Sequence, residues 1–330
     1  MELKSQIPNS KFQILRKQLG RIGVLLGGPS SEREISLKSG HAVLNALREQ
    51  RLEAVEIDIR TTNVEENIRL IKSYNIDCAF IALHGYFGED GQIQEILEKL
   101  KIPYTGSGVL ASKLAMNKIA SRKIWQENGL NVPSYIVIKK SFYNDFIEYP
   151  NLKLPWVVKP SSHGSSIGLS IVDNKQDLKK AIDLAFSFDE TIIIEEYIKG
   201  RELTVGILDD EPLPIIEIVP KKRFFDYEAK YQTGLTDYIV PARLEEDLAK
   251  KIQNDALSAH QLLGCVDFSR VDMILREDNT VFILELNSIP GLTNTSLLPK
   301  AAKVAGIEFN QLCLKIISLA YEKVKNSLNV

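Results

Sequence analysis

A parallel α/β layer followed by a mixed α+β region is the architecture that this sequence predicts. Apolar runs alternate with helical periodicity through residues 21–85, and short β segments crowd the chain from residue 156 onward. Two polar strands, GCVDFSRVDMIL and ELNSIPG, stand near its end. With 330 residues the chain exceeds what one core usually organises, so two or three domains are expected.

RIGVLLGG, residues 21–28, reads as a buried strand ending in glycines. There follow helical periodicity from Glu32 to Arg48, a strand from Glu53 to Ile59, a helix from Glu65 to Tyr74 and the apolar run CAFIALHG at 78–85. This alternation implies a parallel sheet covered on both faces, with its ligand site beyond the carboxyl ends of the strands. Gly27, Gly28, Ser30, Ser31 and Glu32, with His84, Gly85, Glu89 and Asp90, are expected at that rim. GGPSSE is not GxGxxG, so the dinucleotide phosphate argument does not transfer. A helical segment from Lys113 to Asn128, a strand after Pro133 and a polar helix and loop from Tyr143 to Pro155 lead to the strand WVVKP at 156–160. Further β segments cover 169–172, 191–197, 202–208 and 213–219. A helix from Leu244 to Leu262 precedes the two polar strands, and a terminal helix follows Ile307. Boundaries near 110 and 200 divide the chain into 1–110, with an extension at 1–19, then 111–200 and 201–330.

A net charge of −2 and a basic cluster no longer than Lys221–Arg223 argue against nucleic acid as a partner. Cys78, Cys265 and Cys313 lie far apart in apolar segments, and are expected to be buried and reduced in a cytosolic protein. No apolar run is long enough to cross a bilayer, so a soluble protein is expected.

Successive strand side chains point to opposite faces. Arg270 therefore shares a face with Asp272, and Glu285 with Asn287; two adjacent strands would present an arginine, two carboxylates and an amide together. Asp272 and Glu285 offer hard oxygens and Asn287 a neutral one, which suits magnesium held together with phosphate and water. A salt-bridge cluster around Arg270 is the alternative. SSHGSSIG, residues 161–168, can form a hairpin whose N–H groups and hydroxyls face phosphate, or an ordinary polar turn. Lys159 beside it, and Lys118, either contact phosphates or extend to water. Glu195, Glu196, Tyr197 and Ile198 can receive a flat base and Glu202 a ribose hydroxyl, or these carboxylates are solvated edge residues.

Taken in order, LLGGPSSEREISLKSG from Leu25, HGYFGEDG from His84, IPYTGSGVLASKLAMNK from Ile102 and KPSSHGSSIGLS from Lys159 form a recognisable series. EEYIKGREL from Glu195, FDYEAKY from Phe225, RVD and ELNSIPGLTNTSLLPKAA continue it. Together they resemble the bacterial D-alanine–D-alanine ligases of the ATP-grasp superfamily, from Gly20 to the terminal helix. The resemblance implies an ATP-grasp fold preceded by a parallel-sheet domain that takes the carboxylate substrate, with ATP held between the central and carboxy-terminal regions. It implies ligation of two D-alanines through a D-alanyl phosphate, giving D-alanyl-D-alanine, ADP and phosphate for peptidoglycan precursors. Mg2+ or Mn2+, two ions per site, and a cytoplasmic homodimer belong to the same expectation.

The resemblance also carries residue roles. Glu32 would receive the first D-alanine's ammonium, with Ser165 and Tyr231 closing the site and His84 orienting the substrate. Arg270 and the Gly291 N–H would stabilise the acyl phosphate and the later oxyanion. Ser296 and the Leu297 backbone would hold the second substrate's carboxylate. Lys118, Lys159 and Lys230 would meet phosphates, Glu195 and the segment Glu196, Tyr197, Ile198 the adenine, and Glu202 the ribose. Asp272, Glu285 and Asn287 would be the metal ligands. The chain departs from the family pattern at His163, Asn117, Phe87 and Thr295. D-lactate or D-serine as second substrate, and an inactive nucleotide-binding regulatory module, are the competing expectations; Lys230 and Tyr231 argue against lactate.

Overall fold

The computed structural model describes residues 19–143, 152–162, 164, 167–221 and 235–327. Residues 1–18 of the extension expected at 1–19, and His163, Ser165, Lys230 and Tyr231, lie outside them. Strand β1 (Arg21–Gly27), helix α1 (Arg33–Glu49), β2 (Glu53–Ile59), α2 (Val64–Ser73), β3 (Cys78–Ile81) and α3 (Gln92–Leu100) build the first layer. Its three strands are parallel, in the order β2-β1-β3. Side-chain alternation gives the sheet two buried faces. Cys78 and Phe80 join Leu44 and Leu47 in one core, while Ala79 and Ile81 join Ile71 and Ile96 in another. The third strand ends at Ile81 rather than running to Gly85, because the His84 N–H turns to Ser36 Oγ and Gly85 adopts φ +72°. Gly40 lets α1 lie against β1, where a Cβ would come within 2.3 Å of Leu26.

The helical segment expected at 113–128 is two helices, α4 (Val109–Met116) and α5 (Lys118–Glu127). Asn117 breaks it in an extended conformation, and its side-chain oxygen caps α5 by accepting from Ile119 N and Ala120 N. An amide caps as well as a carboxylate, so Asn117 still delivers Lys118 at the helix start. Next, β4 (Tyr135–Lys139), β5 (Trp156–Pro160), β6 (Ser170–Val172), α6 (Leu178–Phe186) and β7 (Thr191–Glu196) form an antiparallel sheet ordered β4-β7-β5-β6. Trp156, Val158, Ile192 and Ile194 pack on Ile182 and Ala185 of α6.

The last sheet comprises β8 (Gly200–Leu208), β9 (Glu211–Pro212), β10 (Ile216–Pro220) and β11 (Thr236–Ile239), then, beyond α7 (Glu246–Leu262), β12 (Phe268–Arg276) and β13 (Val281–Asn287). Its order is β11-β10-β8-β12-β13, with β9 beside β8. Leu203, Val205, Val271 and Met273 face Ile252 and Ala256 of α7, leaving Glu202, Thr204, Arg270 and Asp272 for the opposite face. Trp125 ties α5 to α7 through Nε1 to the Ala259 carbonyl at 3.0 Å. Finally α8 (Leu297–Val304) and α9 (Phe309–Ser327) return to the first layer. There Ile316, Ile317 and Ala320 share a core with Leu19, Leu44 and Leu47. Lys323 Nζ reaches Asp267 Oδ2 at 2.6 Å and the Gly106 carbonyl at 2.7 Å. Cys78, Cys265 and Cys313 are buried thiols, and burial pushes the first two up to about 12 and about 11.

His260 on α7 is fully buried; its Nδ1 lies 2.7 Å from Ser269 Oγ and its Nε2 3.8 Å from Asp210 Oδ1. Burial lowers its pKa to about 4 despite Asp210. In the unfolded chain the imidazole titrates near 6.5, so between these values the unfolded state binds the extra proton and stability falls as pH falls. Urea unfolding of the wild type should lose up to about 3 kcal/mol from this group between pH 7 and pH 4. The His260→Asn variant should show a flatter pH dependence over the same range; an unchanged slope would refute the assignment.

Candidate active site

Two cavities open on the polar face of β12 and β13. The first, about 360 Å³, lies between the middle and last sheets. Val157, Lys159 and Ile171 line it from one side, Glu202, Ile218 and Ile274 from the other. The second, about 600 Å³, lies between the first layer and the loop after β13, with Glu32, His84, Arg270, Gly291, Ser296 and Leu297 in its wall. A small recess shares Lys118 and Glu285 with the first, and Glu89, Gly164 and Asn287 with the second.

Strand register produces the junction. Arg270 pairs with Asn287 and Asp272 with Glu285 on β13, while Asp272 also pairs with Thr204 on β8. The ladder shifts after Asp272, so Met273 pairs with Ile283 and Leu284 is an inserted residue. This bulge matters because residues two apart share a face. Without it Glu285 would follow Ile283 into the core. Arg270 grips Asp272 with both arms of its fork, Nε at 2.8 Å and Nη2 at 2.7 Å. Thr204 Oγ1 at 2.6 Å and Asn287 Nδ2 at 3.0 Å also donate to that carboxylate. Lys118 Nζ stands 3.3 Å from Glu285.

Two carboxylates and an amide oxygen suit a hard dication, and they offer fewer than the six oxygens magnesium takes. Phosphate and water must supply the remainder. Among the described residues no group of three or more His, Cys, Asp or Glu is arranged to hold a metal alone. The two cations and two anions here already cancel. A dication therefore fits this donor set only in company with added negative charge.

Around the first cavity, Lys159 Nζ is 2.8 Å from Glu195 Oε1, and Arg122 Nη1 is 2.5 Å from Glu195 Oε2. Burial would raise the Glu195 carboxyl, but Arg122 and Lys159 outweigh it and hold it below the usual value. Burial lowers Lys159 to about 8, with Arg122 and Lys118 repelling its proton and Glu195 and Glu285 retaining it. The Glu195 side chain thus joins Lys159 to Arg122 in the wall of this cavity. The amides of Glu196 and Tyr197 donate to the carbonyls of Ser134 and Pro155 at 2.9 and 3.0 Å. Those two N–H groups are committed within the protein. Glu196, Tyr197, Ile198 and Glu202 nonetheless line the cavity.

In the second cavity, Glu32 caps the start of α1, its carbonyl accepting from Ile35 and Ser36. Gly85 passes so close that a Cβ would stand 2.6 Å from Glu32 Oε2, and a Cβ on Gly164 would lie 3.5 Å from the same oxygen. His84 uses both ring nitrogens inside the protein, Nδ1 on the Ile289 carbonyl at 3.0 Å and Nε2 on Ser39 Oγ at 2.9 Å. Burial holds its pKa below the ordinary value. Glu89, a rim residue given no role above, accepts from Gly85 N at 2.6 Å and Ile289 N at 3.3 Å. Enclosure by protein, and then the Glu32 charge, push its carboxyl upward, a rise opposed by those N–H donors and by Arg270. Ser296 caps α8, placing the Leu297 N–H at a helix start that favours a carboxylate.

Phe87 and Thr295, two of the departures, are accommodated locally. Phe87 is fully buried at φ +73°, its N–H held by Asp90 Oδ2 at 3.0 Å. Thr295 lies 3.2 Å from Thr293 Oγ1, and its carbonyl is held by Lys300 Nζ. Arg122, Ser39 and the role of Glu89 escaped the sequence reading; a lone arginine on an amphipathic helix and a serine in a helix interior carry no pattern that marks them.

The family model described as D-ala D-ala ligase C-terminus matches residues 124–318, and that described as D-ala D-ala ligase N-terminus matches residues 60–107. The D-alanine–D-alanine ligase of Nitrosomonas europaea is 45% identical over 307 residues, covering 93% of this chain and 99% of that protein. The Trichlorobacter lovleyi enzyme of the same name is 47% identical over 298 residues, 90% of this chain and 93% of its own. The crystal structure of D-alanine–D-alanine ligase from Bacillus anthracis complexed with ATP superposes with TM-score 0.82 at 35% identity, covering 93% of this chain and 99% of that one. The VanG D-Ala:D-Ser ligase of Enterococcus faecalis gives 0.76 at 32%, over 91% and 99%. With its parallel first layer and its two antiparallel sheets around a cavity, this chain has the ATP-grasp fold and belongs to the D-alanine–D-alanine ligase family.

Proposed function

We propose that this protein joins two D-alanines at the expense of ATP, through a D-alanyl phosphate, to supply D-alanyl-D-alanine for peptidoglycan precursors. The observation that carries this reading is the meeting of two cavities at β12 and β13, one walled by lysines and apolar residues, the other by Glu32, Arg270 and a helix start. The first D-alanine's carboxylate attacks the γ-phosphorus and ADP departs. The second substrate's amine, once deprotonated, attacks the acyl carbon, and phosphate departs. Lys118 and Lys159 face the phosphates, Glu32 the first ammonium, and Arg270 with the Gly291 N–H the oxygen on which charge collects. Ser296 and the Leu297 N–H take the second carboxylate. Asp272, Glu285 and Asn287 would hold Mg2+ or Mn2+, which offsets phosphate charge when bound. Ser165, Lys230 and Tyr231 keep their roles by resemblance, as do the three-domain division, the homodimer and the cytoplasmic location. Among the described residues no helix is long and apolar enough to cross a membrane.

Purified protein with ATP, magnesium and D-alanine should form D-alanyl-D-alanine with one phosphate per dipeptide, and D-serine or D-lactate should compete poorly as second substrate. No dipeptide from folded, nucleotide-binding protein would sink the reading; preferential transfer to D-lactate would overturn the specificity.

Because Arg270 and Lys118 already balance Asp272 and Glu285, magnesium alone should give no calorimetric binding signal at millimolar concentration. It should bind once a nucleotide is present. Saturable binding of magnesium to the nucleotide-free protein would contradict the charge argument.

The Lys159 ammonium deprotonates near pH 8 in the free protein, so kcat/KM for ATP at saturating D-alanine should fall as pH rises through that value. Lys159→Arg, which stays protonated, should abolish this limb even if its overall rate is lower. A limb that persists in the variant would assign the titration elsewhere.

A further inference from the structure

Three hydrogen bonds from the first layer grip the segment that carries the Gly291 N–H. The Ile289 N–H donates to Glu89 Oε1 at 3.3 Å, the Ile289 carbonyl accepts from His84 Nδ1 at 3.0 Å, and the Leu292 N–H donates to Ser39 Oγ at 3.3 Å. Between these anchors lie only Pro290, whose ring fixes φ, and Gly291. A carbonyl can only accept, so His84 carries its proton on Nδ1 and Nε2 is left as an acceptor. That nitrogen takes the Ser39 hydroxyl proton at 2.9 Å, and the same hydroxyl oxygen receives the Leu292 N–H. The chain of donors is therefore consistent in direction from Leu292 through Ser39 and His84 back to Ile289.

The partners come from separate parts of the sequence. Ser39 is on α1 and fully buried; His84 and Glu89 follow β3, and His84 is 4% exposed. Ser36, one turn before Ser39, fixes His84 in turn by accepting its N–H at 2.8 Å. Downstream, the Thr293 N–H donates to Ser296 Oγ at 3.1 Å, so the anchored segment runs directly into the site for the second carboxylate.

We infer that Ser39, His84 and Glu89 are positioning residues that hold the Gly291 N–H where the oxyanion forms, by clamping the peptide units on both sides of it. None needs to touch substrate to do so. The inference rests on the proposed ligase reaction, in which that N–H is an oxyanion donor. Such a donor is effective only when held in place before charge develops, and loosening its support by a fraction of an ångström forfeits part of its effect.

Ser39→Ala removes the hydroxyl that links Leu292 to His84. Glu89→Gln offers one acceptor where two N–H groups converge, so the shorter Gly85 contact survives and an NH2 group faces Ile289. For both variants the measurements are kcat, KM for ATP, melting temperature and the inhibition constant of a phosphinate analogue of the dipeptide, whose tetrahedral centre mimics the intermediate. The expected result is a loss of kcat of about tenfold or more, matched by an equal rise in the analogue's inhibition constant, with KM for ATP within about twofold. A merely structural role would lower the melting temperature without coupling kcat to analogue affinity. Unchanged analogue binding in both variants, beside a wild type that ligates, overturns the inference alone. A wild type that makes no dipeptide overturns it together with the proposed function.

Discussion

The carboxylate of Asp272 is the point on which the site depends, because three adjacent strands each send it a donor. Thr204 comes from β8, Arg270 from β12 itself and Asn287 from β13. A partly buried anion satisfied from three strands opposes any slip between them, since a shift of one residue would turn Thr204 or Asn287 to the other face. The same contacts aim Arg270 at the second cavity while Glu285, carried round by the bulge at Leu284, meets Lys118 beside the first. Register and chemistry are set by one group.

Charge is distributed unevenly on either side of this point. Asp272 and Glu285 are balanced by Arg270 and Lys118, whereas Glu195 faces two cations, Arg122 and Lys159. The Arg122–Glu195–Lys159 cluster behind β5 and β7 therefore carries one surplus positive charge, set against the Glu196 carboxylate at the end of β7. Arg122 makes that surplus without lining the cavity. Its guanidinium also rests 5.2 Å from the Tyr135 ring, which lowers the cost of burying it.

Much of this was legible in the sequence. The apolar runs RIGVLLGG and CAFIALHG, set among stretches of helical periodicity, pointed to the parallel layer, and the spacing of Arg270, Asp272, Glu285 and Asn287 to a shared polar face. The bulge was not written there: VFILELN is apolar at 281–284 and again at 286, and only the burial of Val281, Ile283 and Leu286 shows the change of phase that an inserted residue produces. Asn117 was harder, because a break in the middle of a periodic stretch is decided by a cap and not by hydropathy. The partnership of Glu195 with Arg122, and of Ser39 with Leu292, joins residues dozens to hundreds of positions apart. Such pairings follow from tertiary packing, and no local pattern announces them.

The core beneath the first sheet is completed by Ile316, Ile317 and Ala320 of α9, which lie almost a whole chain length from Leu19 and α1. A ribosome releasing this chain from its amino terminus exposes β1, α1 and β3 long before the helix that covers them exists. Until then Leu44, Leu47 and Phe80 have an open face, and the parallel layer cannot mature as an independent unit. Maturation of the layer that carries Glu32 and His84 therefore waits for α9 to be made and does not follow the order in which its own residues emerge.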